Sequence, residues 1–194
     1  KLSNYGLEII FVDDNLKSHK KYYYAAKKFP NAVIITVDDD IAYDPKLIES
    51  LVLAHNENPE AVCCRMAHKI TLNNGVPDLY DNWMGGAIGE MGKSQYYVAV
   101  GVGGILYPPR CFDYECLDVE KIKKLAFSAD DLWLKFMELR QGISVFKINS
   151  DSIIPFEISG TQAFALTKEN NGKGKNDYIM KRLCEKYPIN WIEL

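Results

Sequence analysis

The sequence predicts an α/β protein in which a mixed, mostly parallel sheet is flanked by helices. Two short apolar runs, residues 7–12 and 32–37, are rich in β-branched side chains and end in clusters of aspartate, as buried parallel strands often do. The segment between them carries apolar residues at helical spacing. A strand, a helix and a second strand in this order form a right-handed crossover, and ligands bind such units at the carboxyl ends of the strands.

Capping residues and breakers set the limits of the predicted helices. Ser18 can cap the first helix and Pro30 ends it, whereas Asp44 and Pro45 begin the second. Helices are predicted at residues 18–29, 44–52, 128–140 and 176–187, and further strands at residues 61–66 and 143–148.

One domain, residues 1–194, is expected. A chain of 194 residues can bury about 70% of its unfolded surface in a single core, and no linker or repeat interrupts it. No apolar stretch approaches the ~18 residues of a membrane helix. With 23 Lys and Arg against 26 Asp and Glu, the net charge of −3 gives no general attraction to nucleic acid. Five cysteines without a C-x-x-C pair fit a reducing, cytoplasmic compartment.

Asp38, Asp39 and Asp40 directly follow the second predicted strand. Three carboxylates at a strand end repel one another, so their ionised forms need a counter-charge. Mg²⁺ or Mn²⁺ can supply that charge, because these ions bind carboxylate oxygens and bridge them to substrate phosphates. Asp38 and Asp40 are therefore the predicted metal ligands. The alternative is that the three residues form a turn that caps the next element.

A second acidic pair, Asp130 and Asp131, opens the third predicted helix. Ser128 and Asp131 match a capping box, and acidic residues in a first turn suit the helix dipole. This explains one aspartate and leaves the other as a candidate general base toward a hydroxyl nucleophile. Trp133 could offer a ring against which a sugar stacks.

Residues 73–104 lack periodicity and hold eight of the thirteen glycines, which is typical of a functional loop. Gly103 and Gly104 belong to the segment GVGGILYPP, residues 101–109. Its spacing matches neither a Walker loop nor a dinucleotide loop. The two glycines either let a ligand approach the backbone or form a tight turn.

Four further side chains are candidate ligand contacts. Lys20 and Lys21 begin the first predicted helix, where they could reach a diphosphate, although a solvated helix face explains at least one of them. Arg65 and His68 lie at the end of the third predicted strand and are candidate acceptor contacts. A lone histidine is more often a satisfied polar group than a ligand.

Taken in order, these segments resemble bacterial glycosyltransferases of the GT-A type, whose nucleotide-diphospho-sugar fold binds the donor and a divalent metal. The matching segments are SHKKYYYAAKKFPNAVIITVDDDIAYD at 18–44, CRMAHKI at 64–70, GVGGILYPP at 101–109, SADDLWLKFMELRQGISV at 128–145, GTQAFAL at 160–166 and NDYIMKRLCEKYP at 176–188. They span most of the chain. DDD, GVGGxLYPP and ADDxW in this order are far more specific than DDD alone.

The resemblance implies a Mn²⁺- or Mg²⁺-dependent, inverting transfer of a sugar from a nucleotide-diphosphate donor to a hydroxyl of a surface polysaccharide. Asp38 and Asp40 resemble the DxD pair that holds metal and diphosphate, with Asp39 near the ribose. Asp130 or Asp131 resembles the acidic pair that supplies the base. The implied partners are a nucleotide-sugar and a glycan or glycolipid acceptor, and peripheral membrane association is left open.

Family members carry a strand and a helix ahead of the region that corresponds to Tyr5, so the chain is expected to be an N-terminally truncated domain. Two other functions remain open. An apolar strand ending in D-x-D with a later Asp pair also describes haloacid-dehalogenase-like phosphatases, although Ala42 stands where that fold has Thr or Val. The third possibility is a sugar- or nucleotide-binding module without turnover.

Overall fold

The computed structural model describes residues 2–148, 156–158 and 174–194, in which helices pack on both faces of a mixed β-sheet. The α-helices of these residues are α1 (Lys20–Lys28), α2 (Leu47–Glu57), α3 (Val119–Leu125), α4 (Asp130–Arg140) and α5 (Lys175–Lys186). The strands are β1 (Ile34–Thr36), β2 (Ile41–Ala42), β3 (Val62–Cys64), β4 (Ala67–Lys69), β5 (Leu72–Asn73), β6 (Val76–Pro77), β7 (Gly92–Ser94), β8 (Tyr97–Ala99), β9 (Ile105–Tyr107), β10 (Val145–Lys147) and β11 (Phe156–Glu157). The α/β class predicted from the sequence is confirmed.

The main sheet has the strand order β1-β9-β3-β10-β7. β3 and β10 are parallel, whereas the β1–β9, β3–β9 and β10–β7 pairs are antiparallel. The expectation that most strands are parallel is therefore wrong. The reason is β9, which lies between β1 and β3 and is antiparallel to both. The sequence predicts a glycine-rich loop and its extended exit for this segment, not a strand of the sheet. Three two-stranded ladders, β2–β11, β4–β8 and β5–β6, complete the described strand pairs.

Residues 7–12, predicted as a buried strand, form no strand and lie exposed. Ile9 and Phe11 are 67% and 92% exposed. An apolar, β-branched run has a high strand propensity, but a strand also needs a neighbour that accepts and donates its backbone hydrogen bonds. Within the described ranges no strand pairs with this segment, and β1 is a terminal strand of the main sheet. The prediction for residues 7–12 is therefore wrong.

The helices lie close to their predicted positions, but two predicted caps are absent. Asp44 does accept a hydrogen bond from the Lys46 N–H at 2.8 Å, in the turn that precedes α2. In contrast, α1 and α4 have no side-chain cap, so the capping roles predicted for Ser18 and for Ser128 with Asp131 are wrong. The Asp131 carboxylate makes a contact outside its helix instead.

The core has two parts, one on each face of the sheet. On one face, Leu51 of α2 packs with Cys63 and Leu106. On the other, α1, α3, α4 and α5 form a larger cluster with Cys64 and Ile105. Neighbouring residues of β3 and β9 thus face opposite layers, as the pleat of a strand requires. The larger layer places the N-termini of α1 and α4 on the same side of the sheet.

No helix in the described part of the chain is both long and apolar enough to span a lipid bilayer. The segment 160–166, which contributes to the resemblance given above, lies outside the described residues.

Candidate functional site

The two acidic motifs predicted from the sequence meet at one lysine. Nζ of Lys21, in the first turn of α1, lies 2.5 Å from Oδ1 of Asp38, which follows β1. The negative charges of Asp130 and Asp131, in the first turn of α4, act on the same ammonium group. The structure therefore brings Lys21, Asp38 and the Asp130–Asp131 pair into one cluster, which we call the lysine–aspartate site.

Lys21 stays protonated at this site. Burial of the side chain disfavours the charged form, but the carboxylates of Asp130, Asp38 and Asp131 outweigh it and raise the pKa of Lys21 above its usual value. The Lys21 and Asp38 side chains are 29% and 17% exposed, so the ion pair is shielded but keeps some contact with solvent. The site thus holds one fixed positive charge among several carboxylates.

Gly101 holds the acidic end of α4 in place. Its backbone N–H donates a hydrogen bond of 3.3 Å to Oδ1 of Asp131. A Cβ atom at this position would lie 3.1 Å from Nζ of Lys21 and 3.5 Å from Oδ1 of Asp131. Glycine therefore allows the 3-10 turn Gly101–Gly103 to touch both charged groups. The sequence indicated a close backbone approach in this segment but placed it at Gly103 and Gly104.

The carboxyl group of Asp131 has an unusually high pKa. Burial raises the pKa of its carboxyl group well above the usual value, and the negative charge of Asp130 raises it further. Lys21 and the Gly101 N–H oppose this shift without cancelling it. A carboxylate with a raised pKa accepts a proton more readily, and general bases work best when their pKa lies near the operating pH.

The three consecutive aspartates occupy different environments. Asp38 pairs with Lys21, and its backbone N–H donates a 2.9 Å hydrogen bond to Oη of Tyr43. Asp39 is exposed and Asp40 is half-buried. The carbonyl of Asp40 accepts a 2.8 Å hydrogen bond from the Ile158 N–H, beside the β2–β11 ladder. Among the described residues, no group of three or more His, Cys, Asp or Glu side chains is arranged to hold a metal ion.

Gly103 and Gly104 are explained by close packing. A Cβ atom on Gly103 would lie 2.6 Å from Cβ of Met66, and one on Gly104 would lie 2.9 Å from Cδ2 of Leu47. Gly104 also has a positive φ of 81°. Both positions thus have no room for a side chain within the protein itself, which fits the tight-turn alternative.

Trp133 is fully buried. Its ring has 0% exposure, and its Nε1–H donates a 3.0 Å hydrogen bond to the Cys116 carbonyl. Tyr187 packs against it edge-on, with ring centroids 6.2 Å apart. No face of the indole is left for a sugar, so the stacking role expected for Trp133 does not fit this structure. The ring anchors α4 in the core instead.

Lys20, Arg65 and His68 are the other predicted ligand contacts, and the structure places them as follows. Lys20 is exposed on α1. Arg65 forms a long ion pair with Asp44, 3.9 Å between Nη2 and Oδ2. His68, on β4, accepts a hydrogen bond from the Gly86 N–H at 2.9 Å, and burial lowers its pKa. The imidazole of His68 is therefore held in place with Nδ1 as an acceptor.

Sequence reasoning missed His19, which links α1 to the segment before α4. Because the Ala126 carbonyl only accepts, Nε2 of His19 donates to it at 2.9 Å, and Nδ1 accepts from the Tyr22 hydroxyl at 2.9 Å. The ring is completely buried, and burial lowers its pKa although Asp130 opposes the shift. A neutral His19 thus fixes Lys21 relative to Asp130. No spacing in the sequence signals such a contact.

Comparison with known proteins does not extend this description. No protein-family model matches the sequence, and neither a curated protein nor a solved structure matches it. The chemistry of the site therefore follows from its own residues. A protonated lysine and its partner Asp38, together with a carboxyl group of raised pKa and the Gly101 N–H that binds it, meet where β1 ends and where α1 and α4 begin.

Proposed function

We propose that this protein is a metal-dependent glycosyltransferase of the GT-A type, which moves a sugar from a nucleotide-diphosphate donor to a hydroxyl of a surface glycan. The observation that supports it most is the meeting of Asp38 and Asp131 at Lys21. Group transfer needs a charged site for the leaving diphosphate next to a base for the incoming hydroxyl. Two acidic motifs that are distant in the sequence supply both at one place.

We assign a Mn²⁺ or Mg²⁺ ion to the carboxylates that follow β1. These ions are commonly held by one or two carboxylates, while substrate phosphates and water complete the coordination. Asp38 and Asp40 are the carboxylates that would bind the ion. Such a site needs fewer protein ligands than the group of three that the described residues lack. When bound, the ion would neutralise negative charge on the leaving diphosphate.

Lys21 provides a second positive charge for the donor. Its ammonium is fixed by Asp38 at 2.5 Å and stays protonated because of the surrounding carboxylates. A lysine ammonium binds phosphate oxygens as a point charge. Stabilisation of charge that develops on a leaving group is most effective when the charged group is already in place. We therefore assign Lys21 to the diphosphate.

Asp131 is the proposed base. The acceptor oxygen attacks the anomeric carbon of the donor, the bond from that carbon to the diphosphate oxygen breaks, and the hydroxyl proton passes to the Asp131 carboxylate. The Gly101 N–H holds Oδ1 of Asp131 and so fixes the orientation of the carboxylate. Direct attack from the side opposite the leaving group inverts the anomeric configuration. Asp130 keeps the pKa of Asp131 high.

The test measures release of nucleotide diphosphate from UDP- and GDP-sugars with Mn²⁺, with and without oligosaccharide acceptors. Asp38→Asn is expected to lose metal-dependent nucleotide binding, whereas Asp131→Asn should keep that binding and lose turnover by about 10² to 10⁴. Asp14→Asn, at an exposed position, is the matched control. If Asp38→Asn binds Mn²⁺ and nucleotide like the parent protein, the assignment is wrong.

The same assay distinguishes the two other functions considered. Release of phosphate from an aryl phosphate, without nucleotide specificity, would indicate a phosphatase in which Asp38 is the nucleophile. Binding of nucleotide by the parent protein with no product under any acceptor would indicate a binding module, in which the Lys21–Asp38 ion pair is a structural contact.

A further inference from the structure

Three aromatic rings form a cluster beside the candidate site, which we call the aromatic corner: His68, Tyr80 and Trp83. Tyr80 and Trp83 pack with ring centroids 4.8 Å apart at an interplanar angle of 43°. His68 meets Tyr80 edge-on, 5.8 Å between centroids. Trp83 is 7% exposed and lies at the back, whereas Tyr80 and His68 are half-buried. Tyr80 thus keeps part of its surface exposed.

The aromatic corner is held rigidly. The Tyr80 N–H donates a 2.7 Å hydrogen bond to Oδ1 of Asp177 in α5. Nε1 of Trp83 donates to the Asp78 carbonyl at 3.0 Å. His68 accepts from the Gly86 N–H. A ring held on several sides loses little conformational entropy when a ligand stacks on it, which favours binding.

A short chain of contacts joins the corner to the Asp131 side of the lysine–aspartate site. The Val100 N–H donates to the Met66 carbonyl at 2.9 Å, one residue before Gly101, which binds Asp131. Met66 packs against Gly103, and Cε of its side chain is among the atoms nearest to Gly86. Gly86 in turn binds His68. A single residue, Met66, therefore separates the turn that holds Asp131 from the loop that holds His68.

The charge of Asp131 is also felt at Tyr80. Burial raises the pKa of the Tyr80 hydroxyl to about 12, with Asp131 and Asp81 acting in the same direction. This agrees with the contacts that place the ring on the base side of the cluster. The Asp177 carboxylate accepts the Tyr80 N–H at 2.7 Å and Asp81 is the next residue, so negative charge lies beside Tyr80 and disfavours an acidic ligand.

We propose that Tyr80, backed by Trp83 and flanked by His68, is the platform on which the acceptor sugar stacks, and that it selects a neutral pyranose over an acidic one. This rests on the proposed glycosyl transfer, and it assigns to Tyr80 the stacking role that the burial of Trp133 rules out. The apolar face of the pyranose packs on the exposed part of the Tyr80 ring. One hydroxyl of that sugar is then directed toward Asp131.

The experiment is saturation-transfer NMR, with methyl β-D-glucoside, methyl β-D-galactoside and methyl β-D-glucuronide as probes. It is run with and without UDP and Mn²⁺. The wild-type protein is expected to bind at least one neutral glycoside more tightly than the glucuronide. Tyr80→Ala should weaken that binding about tenfold, whereas Tyr80→Phe, which keeps the ring, should change it less than about threefold.

Two more variants separate the platform from a role in folding. Tyr80→Leu keeps an apolar side chain against Trp83 but removes the flat face, so it should fold and still bind the sugar weakly. His68→Asn keeps an acceptor for the Gly86 N–H and removes the flanking ring, and a smaller loss is expected. Tyr114→Ala is the matched control, because Tyr114 is 81% exposed and lies outside the aromatic corner.

The proposal is overturned if no neutral glycoside binds the wild-type protein, if Tyr80→Leu binds as tightly as wild type, or if Tyr114→Ala weakens binding equally. Tighter binding of the glucuronide would overturn the preference for a neutral sugar. Sugar binding by the Tyr80 variants tests the platform, whereas nucleotide binding by the Asp38→Asn variant tests the transferase assignment. Failure of the one is therefore distinguishable from failure of the other.

Discussion

The Lys21 ammonium lies 2.5 Å from Oδ1 of Asp38, at the strand end where the sequence predicts a divalent cation. The counter-charge that three neighbouring aspartates need is thus supplied in part by the protein itself. A metal-bound diphosphate would therefore meet a site that already contains one positive charge, and Lys21 would exchange part of its contact with Asp38 for contact with phosphate.

Replacement of Lys21 by methionine tests this exchange. Lys21→Met keeps an unbranched apolar side chain but removes the charge that the diphosphate would bind, so nucleotide-diphosphate affinity should fall about tenfold or more. Binding of UDP and GDP with Mn²⁺ is measured by calorimetry. Lys27→Met, an exposed position on the same helix, should leave the affinity unchanged. If Lys21→Met binds nucleotide diphosphate as tightly as wild type, Lys21 does not bind the diphosphate of the donor.

Asp131→Asn should stabilise the fold while lowering turnover by about 10² to 10⁴. A folded-state pKa above the unfolded value means that the native state binds the proton more tightly, so ionised Asp131 reduces stability. The penalty is absent below the ordinary carboxyl pKa of 3.8 and grows as the pH rises through the higher folded-state value. The melting temperature of Asp131→Asn should therefore exceed that of wild type at pH 7. The expected rise is about 2–4 °C for each kcal/mol by which the substitution increases the free energy of unfolding.

Two results would contradict this interpretation of Asp131. One is a lower melting temperature of Asp131→Asn at pH 7, which would show that the hydrogen bond from Gly101 outweighs the cost of burial. The other is a gain in stability that persists unchanged below pH 3, where both forms of residue 131 would be neutral. Asp14→Asn provides the baseline for an exposed carboxylate.

Asp130 should control the pH dependence of the reaction. Its negative charge raises the pKa of Asp131, so its removal in Asp130→Asn should lower that pKa and move the acid limb of the kcat/KM profile to lower pH. The rate on the plateau should change less than in Asp131→Asn. If the acid limb moves to higher pH, or if turnover is lost completely, Asp130 rather than Asp131 is the base.

Gly101→Ala tests the close approach of the backbone to the charged cluster. The added Cβ would lie 3.1 Å from Nζ of Lys21, so the end of the lysine side chain must shift slightly, and we expect this shift to disturb its contact with Asp38. Turnover is expected to fall tenfold or more, with a small loss of melting temperature. Gly85→Ala is the matched control because nothing lies within 4 Å of its Cβ position and its φ is not positive.

The sequence was informative where local chemistry decides the structure. The apolar stripe and Pro30 locate α1, and Asp44 with Pro45 locates the start of α2 within a few residues. The sequence was misleading where a neighbouring strand, rather than local composition, decides whether a segment forms a strand. Residues 7–12 have the composition of a strand but no paired neighbour in the described residues.

The candidate site shows the same division. The aspartate motifs are visible in the sequence, because clusters of like charge at strand and helix ends need an explanation. Lys21, and not Lys20, reaches Asp38 because of the rotation of α1 about its axis. His19 fixes this rotation through its hydrogen bond to the carbonyl of Ala126, which is distant in the sequence. Trp133 and Tyr80 are equally aromatic in the sequence, and only packing determines that Trp133 is buried while part of Tyr80 remains open.

A buried ion pair on α4 provides a prediction that is independent of function. Lys135 and Glu138 are 1% and 3% exposed, with Nζ 3.3 Å from Oε2. Burial lowers the pKa of Lys135 and raises that of Glu138, so each charge depends on the other for compensation. Lys135→Met leaves Glu138 buried without this partner and should cost about 3–5 kcal/mol in urea unfolding, whereas Lys135→Met with Glu138→Leu should recover most of that loss. Equal destabilisation of the single and double variants would show that packing volume, rather than charge, controls this position.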